Sequence, residues 1–124
     1  MIVDAWLTKM RNVLYGDSET MPSHLAVGTG TTGVTANDTA LQTEVYPDGA
    51  NRSAIASRSK SSSKAVQFQM NIGAAQLDGV ALTECGLLNA ATSGTLINRI
   101  VHNAINKTAA FEIRYQILVT GRDV

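Results

Sequence analysis

The chain has 124 residues, and its ten Lys and Arg side chains balance its ten Asp and Glu side chains, so the formal net charge is zero. This length predicts a single domain, and zero net charge excludes a global field that would draw the protein to nucleic acid or to a membrane surface. Only 16% of the residues are charged, which favours a surface that packs against other subunits. We expect no transmembrane helix and no signal peptide, and the single cysteine excludes an internal disulfide.

The first segment predicts an α-helix over about residues 2–15. Lys9 and Arg11 lie in its second half, where cations interact favourably with the helix dipole, and Gly16 stands where a left-handed glycine ends a helix. Seven apolar side chains on so short a helix predict a wide buried face, packed on the domain's own sheet or on a neighbouring subunit. These side chains are Ile2, Val3, Trp6, Leu7, Met10, Val13 and Leu14.

The next segment contains GTGTTG at residues 28–33, which has the letters of a dinucleotide-binding fingerprint. Such a fingerprint binds a pyrophosphate only where the glycine turn joins a parallel strand to a helix. Residues 24–27 fit the strand and residues 35–38 fit a helix cap, but no second βα unit follows. We therefore favour a strand that leaves the core and enters a Thr- and Gly-rich loop, with a nucleotide site as the alternative.

The segment Arg52–Lys64, RSAIASRSKSSSK, is a stretch of low complexity. Its serines contribute little to a core and its cations repel one another, which predicts a flexible basic hairpin loop. The cations at 52, 58, 60 and 64 form either a solvated loop tip or a contact for an acidic neighbour or nucleic acid.

The second half of the chain alternates apolar and polar residues with a period of two, which predicts β-strands. One leading helix followed by several closely spaced strands predicts a mainly β fold. We expect an antiparallel β-sandwich, jelly-roll-like or an open barrel, with one N-terminal α-helix. Strands are expected at residues 66–72, 79–88, 95–101 and 111–120, with a turn at 89–94 and a loop at 103–108.

Residues able to carry catalysis are few. His24 and His102 each lack a second ligand-type residue at metal-binding spacing, so we expect hydrogen-bonded histidines at strand edges. Cys85 and His102 are the alternative, as a nucleophile and its base, but Cys85 lies in an apolar strand, where a free cysteine is a small buried side chain. The carboxylates form no evident acid–base couple, and the 5% aromatic content disfavours nucleic-acid binding. We expect no catalytic residue, no cofactor and no metal.

Four short phrases stand out in the order in which they occur: VGTGTT at 27–32, DTAL at 38–41, LTE at 82–84 and GLL at 86–88. Together with the order of the predicted elements, they resemble small structural proteins of tailed bacteriophages, the kind labelled tail, tail-fibre or collar components. The resemblance extends over nearly the whole chain, and its motifs are structural. Cys85 stands where such sequences more often have an aliphatic residue.

The resemblance implies a non-enzymatic virion component of the tail, collar, baseplate or fibre attachment. It implies a symmetric oligomer, a trimer or ring of copies of the chain that also contacts other virion proteins. We expect assembly in the host cytoplasm and location in the tail rather than on the capsid surface, without nucleic-acid, membrane or small-molecule partners. A capsid decoration protein and a carbohydrate- or receptor-binding module are the alternatives. The expected interface residues are Trp6, Met10, Arg52, Arg58, Lys60 and Lys64.

Overall fold

The computed structural model describes residues 1–120. Within this range the chain forms one helix and then eight strands, and all the strand pairs are antiparallel. The elements are α1 (Asp4–Tyr15), β1 (His24–Gly28), β2 (Glu44–Val45), β3 (Ser53–Ala54), β4 (Ser57–Ser62), β5 (Ala65–Ile72), β6 (Ala81–Leu88), β7 (Leu96–Asn106) and β8 (Ile113–Thr120).

The helix ends as the sequence predicts. Gly16 adopts a φ of +108°, and its N–H donates to the Val13 carbonyl at 3.0 Å. The Asp17 N–H donates to the Asn12 carbonyl at 2.9 Å, so both groups satisfy carbonyls that the last helical turn leaves unpaired. The start lies two residues later than expected because Ile2 forms an antiparallel bridge with Asn98 of β7.

The strands form two sheets. The first sheet has the order β2-β1-β6-β7, with β3 also paired to β1, and the second has the order β4-β5-β8. Neither sheet closes into a barrel within residues 1–120, which confirms a mainly β, sandwich-type fold with one N-terminal helix. The hairpin of β6 and β7 and the alternating strands β5 and β8 lie where the sequence places them, although β8 begins at Ile113 rather than at Phe111.

Apolar side chains fill two separate clusters. The larger lies between the sheets and includes Leu25 of β1, Met70 of β5, Leu87 of β6 and Ile117 of β8. Burial of alternate residues on facing strands is the usual source of stability in such a sandwich. The smaller lies on the far side of the first sheet and consists of Val3, Ala26, Leu41, Leu88 and Leu96.

Two expected loops are strands. Residues 103–106 continue β7, so the expected loop at 103–108 is wrong over most of its length. Within the segment Arg52–Lys64, residues 53–54 form β3 and residues 57–62 form β4, which pairs with β5. The composition of this segment predicts a loop, but pairing of its backbone with an alternating strand prevails over composition.

Candidate functional site

The glycine loop after β1 is occupied by side chains of its own chain. The Gly30 N–H donates to Glu84 Oε1 at 3.2 Å, and the N–H groups of Thr31 and Thr32 both donate to Gln42 Oε1 at 2.8 Å. A dinucleotide site needs such N–H groups free to face a pyrophosphate, at the start of a helix. Up to residue 120, the last one described, no helix follows this loop, so the nucleotide alternative lacks both requirements.

Glu84 is the centre of this arrangement. It is fully buried in β6 and accepts hydrogen bonds from the N–H groups of Thr43 at 2.8 Å and Gln42 at 3.0 Å, in addition to Gly30. Arg99 Nε of β7 donates to it at 2.9 Å. A buried carboxylate is tolerated when it is paired and hydrogen-bonded in this way.

The same arginine reaches the far end of the loop. Arg99 Nη1 lies 3.2 Å from Asp38 Oδ2 and 3.4 Å from the Gly33 carbonyl oxygen. Asp38 in turn accepts from the N–H and the hydroxyl of Thr35, at 3.0 and 2.9 Å. Residues 35–38 therefore form a hydrogen-bonded turn instead of the start of a helix.

The charges of both carboxylates are stabilised. Burial alone raises the pKa of Glu84, but the hydrogen bonds from Thr43, Gln42, Arg99 and Gly30 outweigh it and lower that pKa below its usual value. The pKa of Asp38 is lowered chiefly by the Thr35 N–H, with a further contribution from Arg99. With its donors already bound, Glu84 holds the loop in place and has no free lone pair directed at a substrate.

The glycines of this loop make room for Glu84. A Cβ on Gly28 would lie 2.4 Å from the Thr43 carbonyl oxygen and 2.5 Å from Glu84 Oε1, closer than atoms can approach. The end of β1 thus needs glycine because a carboxylate and a backbone pass close to it.

The candidate catalytic residues are not combined into a site. Cys85 is buried in the core between the sheets, and this burial, followed by the charge of Glu84, raises its thiol pKa to about 12. His102 is hydrogen-bonded through Nε2 to the Tyr115 hydroxyl at 3.2 Å and through Nδ1 to the Asn103 carbonyl at 2.8 Å. His24 Nδ1 lies 2.8 Å from the Ser23 hydroxyl, and burial lowers the pKa of His24.

Within residues 1–120, no three His, Cys, Asp or Glu side chains come together as metal ligands. In the same range, the twelve-residue α1 is the only helix and is not long and apolar enough to span a bilayer.

Two of the six expected interface residues are buried within their own chain. Trp6 is 7% exposed and packs in the cluster between the sheets. Arg52, also 7% exposed, binds Glu44 through Nε at 2.6 Å and donates to the carbonyls of Ala90 at 3.0 Å and Ser93 at 2.6 Å. Each of these two side chains therefore stabilises its own fold and offers little surface to a partner.

The other basic residues lie at the surface around β4. Arg58 and Lys60 lie opposite Phe68 and Val66 of β5, whose side chains point to the interior, so both cations are on the inward side of an edge strand. The Arg58 guanidinium lies 5.9 Å from the centre of the Phe68 ring, within the range of a cation–π contact. Lys64 lies in the exposed turn between β4 and β5.

Most of α1 is exposed. Trp6 is its only buried residue, so most of the apolar face is not packed on the chain's own sheet, and its packing on a neighbouring subunit stays a prediction. Leu7, Met10 and Leu14, spaced three and four residues apart, share one side of the helix, and Leu7 and Leu14 are 53% and 87% exposed. Tyr15 beside them is 87% exposed as well. We call Leu7, Met10, Leu14 and Tyr15 the helix surface.

The sequence-based reasoning missed the polar groups that hold the loops. Glu84 and Arg99 carried a usable signal, because each interrupts an apolar run of the predicted hairpin. Lys107 carried none: it is 1% exposed, and its Nζ donates to the carbonyls of Ala74 at 2.8 Å and Thr108 at 2.7 Å, beside the Phe111 ring.

Comparison of the chain with protein-family models, with curated proteins and with solved structures gives no match.

Proposed function

We propose that the chain is a non-enzymatic structural protein of a tailed-bacteriophage virion, in the tail, collar, baseplate or fibre attachment. In this proposal it assembles as a symmetric oligomer and contacts other virion proteins. The observation that carries the proposal is the helix surface, an apolar stripe left uncovered on the first element of the chain. The resemblance of the segments around residues 27–41 and 82–88 to such proteins supports it.

The helix surface has the composition of a subunit contact. Exposed apolar side chains grouped on one side of an element mark interaction sites more often than isolated ones do, and Met and Tyr are enriched in interface cores. Standard interfaces bury roughly 800 Å² on each partner, more than one short helix provides, so neighbouring residues take part. In a ring, each subunit repeats the same contact, which multiplies a modest affinity.

The location of the protein is the first test. Virions purified from the source host should contain the chain, detected by mass spectrometry, and gold-labelled antibodies against it should decorate the tail. Labelling of the head would instead favour the capsid decoration protein, and absence from the purified virions contradicts both structural roles.

The contact itself is tested by Leu14→Glu, with Thr8→Glu on the same helix as the matched control because Thr8 is also exposed. A carboxylate in the centre of an apolar contact is costly to desolvate, so Leu14→Glu should reduce the size of the assembly in sedimentation velocity while the circular dichroism spectrum is unchanged. Equal behaviour of the two variants contradicts the assignment of the contact to the helix surface.

A carbohydrate- or receptor-binding module has one observation in its favour, the exposed aromatic ring of Tyr15, since sugars stack on such rings. Binding on a glycan array that Tyr15→Ala abolishes would favour this second function.

A further inference from the structure

The edges of the two sheets differ in how they are protected. An edge strand presents unpaired N–H and C=O groups to any passing strand, and proteins block such edges with short strands, bulges or inward-pointing charges. In the first sheet, β2 and β3 cover the edge of β1. Residues 1–3 cover part of β7: Val3 N–H donates to Ile97 O at 3.0 Å and Arg99 N–H to Met1 O at 3.1 Å. Beyond this point, β7 has an irregular register opposite residues 82–84.

In the second sheet, β4 carries two of these protections. Arg58 and Lys60 point inward, where a second strand would have to bury them. The register with β5 also shifts between Lys60 and Ser62, which disturbs the regular row of backbone groups.

The opposite edge of the second sheet, β8, has none of them. Its register with β5 is regular from Ile113 to Thr120, and its inward side chains are Ile113, Tyr115, Ile117 and Val119. Its one charged residue, Arg114, points outward. No other strand within residues 1–120 pairs with this edge. An open cleft of about 320 Å³ separates Leu118, Val119 and Thr120 from Met1, Ile2, Asn98 and Ile100.

The direction of the backbone groups on β8 follows from its neighbour. The Gln69 carbonyl accepts the Ala56 N–H on the β4 side at 2.8 Å, and the N–H and C=O of one residue point to the same side of a strand. Odd-numbered residues of β5 therefore face β4, and even-numbered ones face β8. By the register, Arg114, Gln116 and Leu118 then direct their N–H and C=O groups to the free edge.

We infer that this edge of β8 binds the β8 of a second copy of the chain, antiparallel, around a twofold axis near Gln116. Gln116 then pairs with its own symmetry mate and Arg114 with Leu118 of the other copy, giving one continuous six-stranded sheet. The inference rests on the proposed function in one respect, since both require copies of the chain to associate.

A second copy fits the edge for three reasons. The twofold pairing keeps apolar side chains on the inward side of both strands, since Ile113 comes opposite Val119 and Tyr115 opposite Ile117. It places no two like charges opposite each other, a placement that would be destabilising. The formal net charge of zero means that two copies do not repel each other.

The test introduces a charge at the position that meets itself. Gln116 is exposed on the outer side of β8, so Gln116→Glu and Gln116→Lys should fold as the unmodified chain does. In sedimentation equilibrium, each variant alone should dimerise about tenfold more weakly, because like charges come together, and an equimolar mixture should recover to within about threefold of the unmodified chain. The matched controls are Ser59→Glu and Ser59→Lys, on the same face of the sheet but on the β4 edge, and should change nothing.

The outcomes separate this inference from the proposed function. A chain that associates with the same constant whatever the charge at Gln116 overturns the edge pairing and leaves the virion role standing. A chain that is monomeric up to about 1 mM also overturns the edge pairing. Charge-dependent pairing in a protein absent from purified virions supports the edge inference and overturns the virion role.

Discussion

β6 and β8 are both eight residues long, but they lie in different surroundings. β6 is buried on both faces, with Leu87 in the core between the sheets and Leu88 beneath the loop that follows β1. β8 alternates between buried and exposed residues, and its outer face is open. The sequences already differ in this way, since VALTECGLL is nearly continuous in apolar residues whereas IRYQILVT alternates at its start.

The difference shows that a sheet can be covered by loops only where the loops find hydrogen-bond partners. A loop brings unpaired backbone N–H groups into a dry environment, and each needs an acceptor. Glu84 supplies these acceptors over β6, and Arg99 offsets the charge of Glu84. Nothing within residues 1–120 covers β8, whose outer face therefore needs no such groups.

The largest loss of stability is expected from removing the Glu84 carboxylate, which accepts the hydrogen bonds of the loop over β6. Glu84→Ala leaves Arg99 buried without its main partner and three loop N–H groups without an acceptor, so the free energy of unfolding should fall by about 4 kcal/mol. Urea denaturation measures this. Glu112→Ala, which removes an exposed carboxylate just before β8, is the control and should cost less than about 0.5 kcal/mol. A similar cost for both variants would mean that the Glu84 network contributes little.

The same substitution on the two outer faces compares them directly. Leu88 on β6 is 2% exposed, and Leu118 on β8 is 58% exposed. Leu88→Ala should cost about 3 kcal/mol because it leaves a cavity in the smaller cluster. Leu118→Ala should stay within about 0.5 kcal/mol of the unmodified chain in dilute solution. If Leu118→Ala proves the more costly of the two, the outer face of β8 is not open.

Gly28 at the end of β1 and Gly33 in the loop after it give a matched pair with a smaller effect. Gly28→Ala forces a Cβ against Glu84 and the Thr43 carbonyl, which should cost about 2 kcal/mol. A Cβ on Gly33 meets no atom within 4 Å, so Gly33→Ala should be neutral or slightly stabilising. Thermal unfolding of both variants measures the difference, and equal melting temperatures would show that the loop can move away from Glu84.

Acid should gradually lower the stability that Glu84 and Asp38 give to the loop over β6. The folded-state pKa values of Glu84 and Asp38 lie below their usual values of 4.5 and 3.8. Their stabilisation is therefore complete above those usual values and is lost as the pH falls through the lower folded-state values. The urea midpoint should fall as the pH is lowered below about 4.5, and less steeply in Glu84→Ala. A midpoint that is constant over this range contradicts the pKa direction.

The spacing of apolar residues was enough to predict where the helix and the regular strands lie. The spacing of apolar residues predicted α1, β5, the β6–β7 hairpin and most of β8, and Gly16 predicted the end of the helix. β4 was missed because a Ser- and Lys-rich sequence has no preference for a strand until β5 offers its backbone. The spacing of apolar residues also did not predict how the helix packs on its sheet. The apolar residues of α1 do not reveal that only Trp6 is covered.

The polar groups that fix the loops depend on distant partners. Arg52 looked like a surface cation in a basic run, but its partners are Glu44 and the carbonyls of residues 90 and 93. No local signal connects these positions. Glu84 and Arg99 are different, because opposite charges in the two strands of one predicted hairpin could have been paired in advance.

The backbone contact between residues 1–3 and β7 affects the order of folding. The Met1 carbonyl accepts from the N–H of Arg99, a residue that is synthesised 98 positions after Met1. Contacts between residues so far apart in sequence slow folding. The first sheet thus cannot be completed during early synthesis, and we expect refolding on the timescale of milliseconds to seconds that is usual for sandwiches dominated by distant pairings.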